Sequence, residues 1–204
     1  MKQKKKQRNN KPKIHNKGWI FGLSGIVGLV VILVVLTTFQ QKQTSNVNKT
    51  DLSVGSLAPE FTLQSTEGYI SLADYRGKNV VLFFYEGNGC QACIDQLDEL
   101  NKKVGEYAEH NTEILAITTD PVSMSKQMVQ KNNIQIPVLY DPNQKVGKPY
   151  GVTDVPGGMD MGPVDTHSIF IIDKNGIVRW YEISPQEMYV PMETVEKELQ
   201  KIWE

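Results

Sequence analysis

The sequence predicts an α/β fold, with a mixed central sheet flanked by helices and preceded by one transmembrane helix. A long uncharged apolar stretch near the N-terminus predicts the membrane helix. Segments of strand character alternate with segments of helical periodicity along the rest of the chain, which ends in a hairpin and a helix. The two cysteines of the chain follow the most apolar of these strands, and they indicate where the chemistry lies.

Residues 1–17 form a basic tail. They hold eight of the 22 lysines and arginines and none of the 23 acidic residues, so the rest of the chain is acidic although the net charge is only −1. An acidic body disfavours nucleic acid as a partner, because phosphate binding needs positive surface. Residues 18–39 follow, and they carry no charge: GWIFGLSGIVGLVVILVVLTTF. A helix of this length spans about 30 Å, the thickness of a hydrocarbon core.

The charge pattern also predicts the topology. Lysines stay on the cytoplasmic side, so we expect a single-pass protein of the cell membrane whose N-terminus is cytoplasmic. A cleaved signal peptide is disfavoured, since its apolar region would be shorter, about 7 to 15 residues, and no small-x-small cleavage pattern follows. Residues 40–54 are polar and are expected to form a flexible linker. Residues 55–204 are then the folded extracytoplasmic domain.

The elements of this domain are predicted from periodicity and turn residues. Two hairpins are expected, one near each end of the domain, with strands and helices alternating between them. In order, we predict strands at 61–63 and 69–72, a strand at 80–85, a helix at 90–108, a strand at 114–118, a helix at 123–132 capped by Ser123, a strand at 137–140, strands at 168–172 and 177–182, and a helix at 194–203.

The cysteines stand at a predicted strand-to-helix junction. Cys90 and Cys93 have C-x-x-C spacing, and a Gly-rich turn separates them from the apolar strand at 80–85. The residues after them have an apolar face at three- and four-residue steps. Unpaired amides at a helix start favour a thiolate over a thiol, so this position predicts a reactive sulfur.

Three parts of the chain resemble the alkyl hydroperoxide reductase/thiol-specific antioxidant (AhpC/TSA) family, the peroxiredoxins and their membrane-anchored relatives. In order they are 54–63 with 71–78, 80–93, and 140–152 with 168–173. The resemblance implies a thioredoxin-like fold and a thiol-dependent oxidoreductase with antioxidant activity. It implies no organic cofactor, because the cysteines themselves carry the two electrons.

Two positions depart from the peroxiredoxin pattern Tyr-Pro-x-x-x-Thr-x-x-Cys. Aligned on Tyr85, the pattern places Glu86 on the proline, Cys90 on the threonine and Cys93 on the peroxidatic cysteine. His167 stands at the position where peroxiredoxins carry an arginine and thioredoxin-like reductases carry a cis-proline. Glu86 and His167 are therefore expected to form the wall of the site or to orient its groups. An exposed loop carboxylate such as Glu86 is otherwise expected to be solvated.

The preferred function is thiol-disulfide exchange on extracytoplasmic proteins, with electrons from a membrane partner. A thiolate attacks a disulfide, and a second thiol within reach releases the product. By the thioredoxin analogy Cys90 is the nucleophile, nearer the exposed turn, and Cys93 the more buried resolving cysteine. By the peroxiredoxin analogy Cys93 attacks a peroxide and Cys90 resolves the sulfenic acid.

Two alternatives stay open at this stage. Cys90 and Cys93 form a structural disulfide in one of them, although so short a loop stabilises little. In the other, Cys90, Cys93 and His167 bind copper, as in the Sco-type chaperones, which are also thioredoxin-like and membrane-anchored. Those chaperones differ in the spacing of their cysteines and in the position of their histidine. No metal is assigned to the preferred function.

Overall fold

The structure is a computed structural model, and it describes residues 52–157 and 162–203. The predicted tail at 1–17, the membrane helix at 18–39 and most of the linker at 40–54 lie outside the described residues. Within those that are described, no helix is long and apolar enough to cross a membrane.

Seven strands and five α-helices make up the described part of the chain. The strands are β1 (Thr62–Ser65), β2 (Gly68–Ser71), β3 (Asn79–Phe84), β4 (Thr112–Thr118), β5 (Val138–Tyr140), β6 (Ser168–Ile172) and β7 (Val178–Ile183). The helices are α1 (Gln91–Asn101), α2 (Val104–Glu109), α3 (Val122–Asn132), α4 (Gly147–Tyr150) and α5 (Met192–Gln200).

The strands join into one mixed sheet in the order β2-β1-β5-β4-β3-β6-β7. Strand β4 runs parallel to both β3 and β5, while β6 is antiparallel to β3 and to β7. The predicted mixed sheet and both predicted hairpins are confirmed. The N-terminal hairpin also extends this sheet through the pairing of β1 with β5, which the sequence pattern did not predict.

The alternation of side chains along β3 builds a core on each face of the sheet. Val81 and Phe83 point to the face covered by α1, α2, α3 and α5, which also holds both cysteines. Val80, Leu82 and Phe84 point to the other face, which the N-terminal segment and α4 cover. All six residues of β3 are buried, as expected of a central strand.

Three helix predictions are wrong in detail. The predicted helix at 90–108 is two helices, because the amide of Lys103 bonds to the carbonyl of Leu100, three residues back, and the chain tightens there. Ser123 does not cap α3; the cap position is Pro121, and Ser123 lies inside the first turn. The last helix ends at Gln200, so Trp203 lies beyond it and donates its indole N–H to Thr112.

Candidate active site

Cys90 and Cys93 lie where β3 passes into α1, as predicted. Strand β3 ends at Phe84, the residues 85–89 form the turn, and Cys90 is the N-cap of α1. The two cysteines form a disulfide, with their Cα atoms 5.2 Å apart. The pair can therefore exist as a disulfide within one helical turn.

The backbone at the start of α1 contacts the Cys90 sulfur. The amide N–H of Cys93 donates to Sγ of Cys90 over 3.2 Å. In the reduced protein this bond and the positive end of the helix favour negative charge on the Cys90 sulfur. Cys93 lies inside the first turn, with its own sulfur in reach of Cys90.

Both cysteines are completely buried, which corrects the expectation that Cys90 lies nearer the surface. The residues on either side of Cys90, Gly89 and Gln91, are exposed, so the backbone of the turn covers the sulfur atoms. The physical reason is that both cysteines belong to the apolar core on the face of the sheet covered by α1, α2, α3 and α5. A partner thiol can reach Cys90 only after the turn has moved.

Asn88 fixes the position of this turn. Its backbone N–H donates to Oδ2 of Asp120 over 2.6 Å, its side-chain Oδ1 accepts from the Tyr85 hydroxyl over 2.9 Å, and its Nδ2 donates to Oγ of Ser125 over 3.2 Å. These bonds join the turn to the end of β3, to the loop after β4 and to α3. Sequence reasoning missed both Asn88 and Asp120, although Asp120 directly follows a strand that is parallel to β3.

A groove of about 380 Å³ runs between the turn and α3. Met124 on its α3 side is about half exposed, at 49 %. Gly89 and Gln91, the exposed neighbours of Cys90 in the chain, both line this groove. Its lining residues are Asn88, Gly89, Gln91, Ile94, Met124, Gln127, Met128, Lys131 and Asn132.

His167 lies on the face of the sheet that holds the cysteines. Its ring is buried and packs edge-on against Phe83, with ring centroids 4.9 Å apart. Burial lowers the pKa of His167 to about 4, so the ring is neutral at pH 7. Neither ring nitrogen has a hydrogen-bond partner among the residues that the structure describes. The peptide before it is trans.

Glu86 lies in the turn between β3 and Cys90. It is buried, at 2 % exposure, which corrects the expectation of a solvated loop carboxylate. It lines a cavity of about 100 Å³ together with Gln144, Val164 and Thr166. Thr166, which also lines this cavity, directly precedes His167 in the chain.

The copper alternative gains no support from the geometry. Among residues 52–157 and 162–203, no three His, Cys, Asp or Glu side chains are grouped so that they could hold a metal ion. The thiols of Cys90 and Cys93 are bonded to each other, and the His167 ring contacts Phe83.

Comparison with known proteins places the chain in a family. The AhpC/TSA family model matches residues 54–181. The thiol-disulfide oxidoreductase ResA of Geobacillus thermodenitrificans is 32 % identical over 158 residues, which cover 76 % of this chain and 84 % of ResA. Peroxiredoxin 2 of Picrophilus torridus is 31 % identical over 140 residues, covering 66 % of this chain and 67 % of that protein.

Solved structures share the fold. The peroxidoxin BcpB of Mycobacterium tuberculosis superposes with a TM-score of 0.65 at 23 % identity, over 74 % of this chain and 98 % of BcpB. The AhpC of Enterococcus faecalis superposes with a TM-score of 0.66 at 20 % identity, over 74 % of this chain and 92 % of that protein. The thioredoxin-like fold is thus confirmed, and the chain is a thiol-dependent oxidoreductase that belongs to the AhpC/TSA family.

Proposed function

We propose that the chain is a membrane-anchored thiol-disulfide oxidoreductase of extracytoplasmic proteins, with Cys90 as nucleophile and Cys93 as resolving cysteine. The hydrogen bond from the Cys93 amide to Sγ of Cys90 carries this assignment. It favours charge on Cys90 and leaves the Cys93 sulfur free to act second. The greater coverage of ResA among the relatives named above also supports disulfide exchange.

The reaction needs only the two sulfur atoms. The Cys90 thiolate attacks a substrate disulfide, a Cys90–substrate bond forms, and the other substrate sulfur leaves as a thiolate. The Cys93 thiol, after losing its proton, attacks Sγ of Cys90 and releases the second substrate thiol. Two electrons pass to the substrate, and the Cys90–Cys93 disulfide results. The reverse sequence oxidises a substrate dithiol.

His167 is proposed as an orienting residue. Its neutral ring packs on Phe83, in the core that contains both cysteines, and it holds the sheet edge on which the disulfide rests. Its carbonyl accepts from the Ser184 amide over 2.9 Å, which joins this edge to the segment after β7. Glu86 is proposed as part of the site wall, through the cavity that it lines together with Thr166.

The proposed location rests on the sequence alone. The basic segment at 1–17 and the uncharged segment at 18–39 support an anchor with the N-terminus in the cytoplasm. The folded domain at 55–204 then lies outside, where exported proteins carry disulfides. Its partners would be such proteins and a membrane electron donor that returns the disulfide to the dithiol.

A peroxidase is the second candidate, because several relatives are peroxiredoxins. In that reaction the Cys93 thiolate attacks the peroxide O–O bond and becomes a sulfenic acid, while the other oxygen leaves as water or an alcohol. Condensation with the Cys90 thiol releases water and gives the same disulfide. The assignment of the two cysteines is thus reversed.

An activity assay distinguishes the two candidate functions. It uses the full-length protein in detergent, as wild type and as the variants Cys90→Ser and Cys93→Ser. Each is assayed with a protein disulfide and, separately, with hydrogen peroxide. We expect disulfide exchange in the wild type, none in Cys90→Ser, and an accumulating mixed disulfide in Cys93→Ser. Peroxide turnover that depends on Cys93, with no exchange on disulfides, would replace this proposal by the peroxidase.

A further inference from the structure

A carboxylate is bound to the turn that carries Cys90. The amide of Asn88, two residues before Cys90, donates to Oδ2 of Asp120 over 2.6 Å. Two residues of backbone span at most about 7 Å, so the carboxylate lies close to the sulfur-bearing end of the turn. Its charge affects a residue of the same turn. Burial is the largest cause of the raised pKa of Tyr85, and the charge of Asp120 is the second.

The position of Asp120 is fixed from several sides. Its own amide donates to Oγ1 of Thr118 over 3.3 Å, and Asn88 is itself held by Tyr85 and Ser125. Asp120 stands just before α3, whose N-terminal end favours negative charge. The Asp120 carboxylate is therefore held in one position relative to the turn, whereas a carboxylate on an exposed side chain moves freely.

Other charged groups surround the turn. Glu86 lies within it, Asp95 follows on α1 and bonds to Gln91, and Lys131 lines the far side of the groove on α3. His167, before β6, is neutral because burial lowers its pKa to about 4. The carboxylate of Asp120 accepts a backbone hydrogen bond from the turn, two residues before Cys90.

We propose that Asp120 sets the redox balance of the Cys90–Cys93 couple and makes its dithiol form the better electron donor. The proposal rests on the proposed function and deepens it. A thiolate at Cys90 is repelled by the fixed carboxylate, whereas the neutral disulfide is not. The repulsion raises the free energy of the reduced protein alone, so the transfer of two electrons and two protons to a substrate disulfide becomes more favourable. The substrates are then exported proteins whose disulfides are reduced.

The test is the equilibrium of the full-length protein with a glutathione redox buffer, for wild type, Asp120→Asn and Asp120→Ser. Both substitutions keep an oxygen that can accept from Asn88 and remove the charge. We expect each to shift the equilibrium towards the dithiol by about tenfold, which corresponds to about 30 mV, when the pH lies above the thiol pKa. Alkylation of Cys90 as a function of pH is expected to show its thiolate forming at lower pH in both variants.

Glu109→Gln is the matched control, since it removes one exposed carboxylate at the end of α2, next to the start of β4 and away from the turn. We expect its equilibrium and alkylation profile to equal those of the wild type. An unchanged equilibrium in both Asp120 variants, or an equal shift in Glu109→Gln, would overturn the inference. A wild-type protein that does not exchange with glutathione or protein disulfides would instead overturn the proposed function.

Discussion

Gln96 and Val190 are joined by a buried hydrogen bond that ties α1 to the segment before α5. Oε1 of Gln96 accepts the amide N–H of Val190 over 2.7 Å, and both residues are completely buried. In Gln96→Leu this N–H loses its partner, and an unpaired buried donor costs about 1 to 3 kcal/mol. We expect the free energy of unfolding to fall by about 2 kcal/mol, measured by denaturant titration.

Gln130→Leu provides the matched control for this first prediction. Gln130 lies on α3 and is exposed, so the same substitution there is expected to change the free energy of unfolding by less than about 0.5 kcal/mol. Equal losses in the two variants would show that the bond between Gln96 and Val190 contributes nothing measurable.

Asp165 makes stability fall as the pH rises. It is completely buried, and burial followed by the charge of Asp141 raises its pKa to about 8. The folded protein keeps the proton that the unfolded chain loses near the ordinary aspartate pKa of 3.8. Stability is thus lost as the pH rises towards 8, by up to about 1.4 kcal/mol per pH unit. Asp165→Asn removes the titrating group and is expected to flatten this dependence in denaturant titrations at several pH values.

His167 acts in the opposite direction. Burial lowers its pKa from 6.5 to about 4, so below pH 6.5 the unfolded chain takes up a proton that the folded protein does not. Stability is lost as the pH falls through this window, again by up to about 1.4 kcal/mol per unit. In His167→Leu this loss is removed. We expect its unfolding free energy to vary less than that of the wild type between pH 6.5 and 4, and an unchanged slope there would contradict the burial argument.

Much of this fold could be predicted from local pattern. The apolar run of β3, the Asn-Gly turn between β6 and β7, and the C-x-x-C pair at a helix start each follow from short stretches of sequence. The break at Lys103 could not, since the periodicity of the apolar face continues across it. It is the packing of Tyr107 into the core, a tertiary effect, that accompanies the break.

The site was predicted in part. The position of the cysteines at a helix start follows from strand and helix periodicity, whereas His167 was singled out through the family resemblance. The burial of Cys90 and of Glu86 does not, because Gly-rich turns are usually exposed and only the packed structure shows what covers them. Asp120 is distant in sequence from Asn88, so their bond depends on the pairing of β3 with β4, which a single sequence leaves open.

Gly147 and Gly105 give opposite predictions for the same substitution. A Cβ on Gly147 would approach the carboxyl of Asp165 closer than 3.0 Å, and that side chain is completely buried. Overpacking of this kind costs about 1 to 3 kcal/mol, so Gly147→Ala is expected to destabilise the protein by that amount. Gly105 lies in α2 with open space around it, where alanine is the better helix former by about 1 kcal/mol. Denaturant titration of both variants tests the close approach, and a Gly147→Ala protein as stable as Gly105→Ala would show that Asp165 does not fill the space beside Gly147.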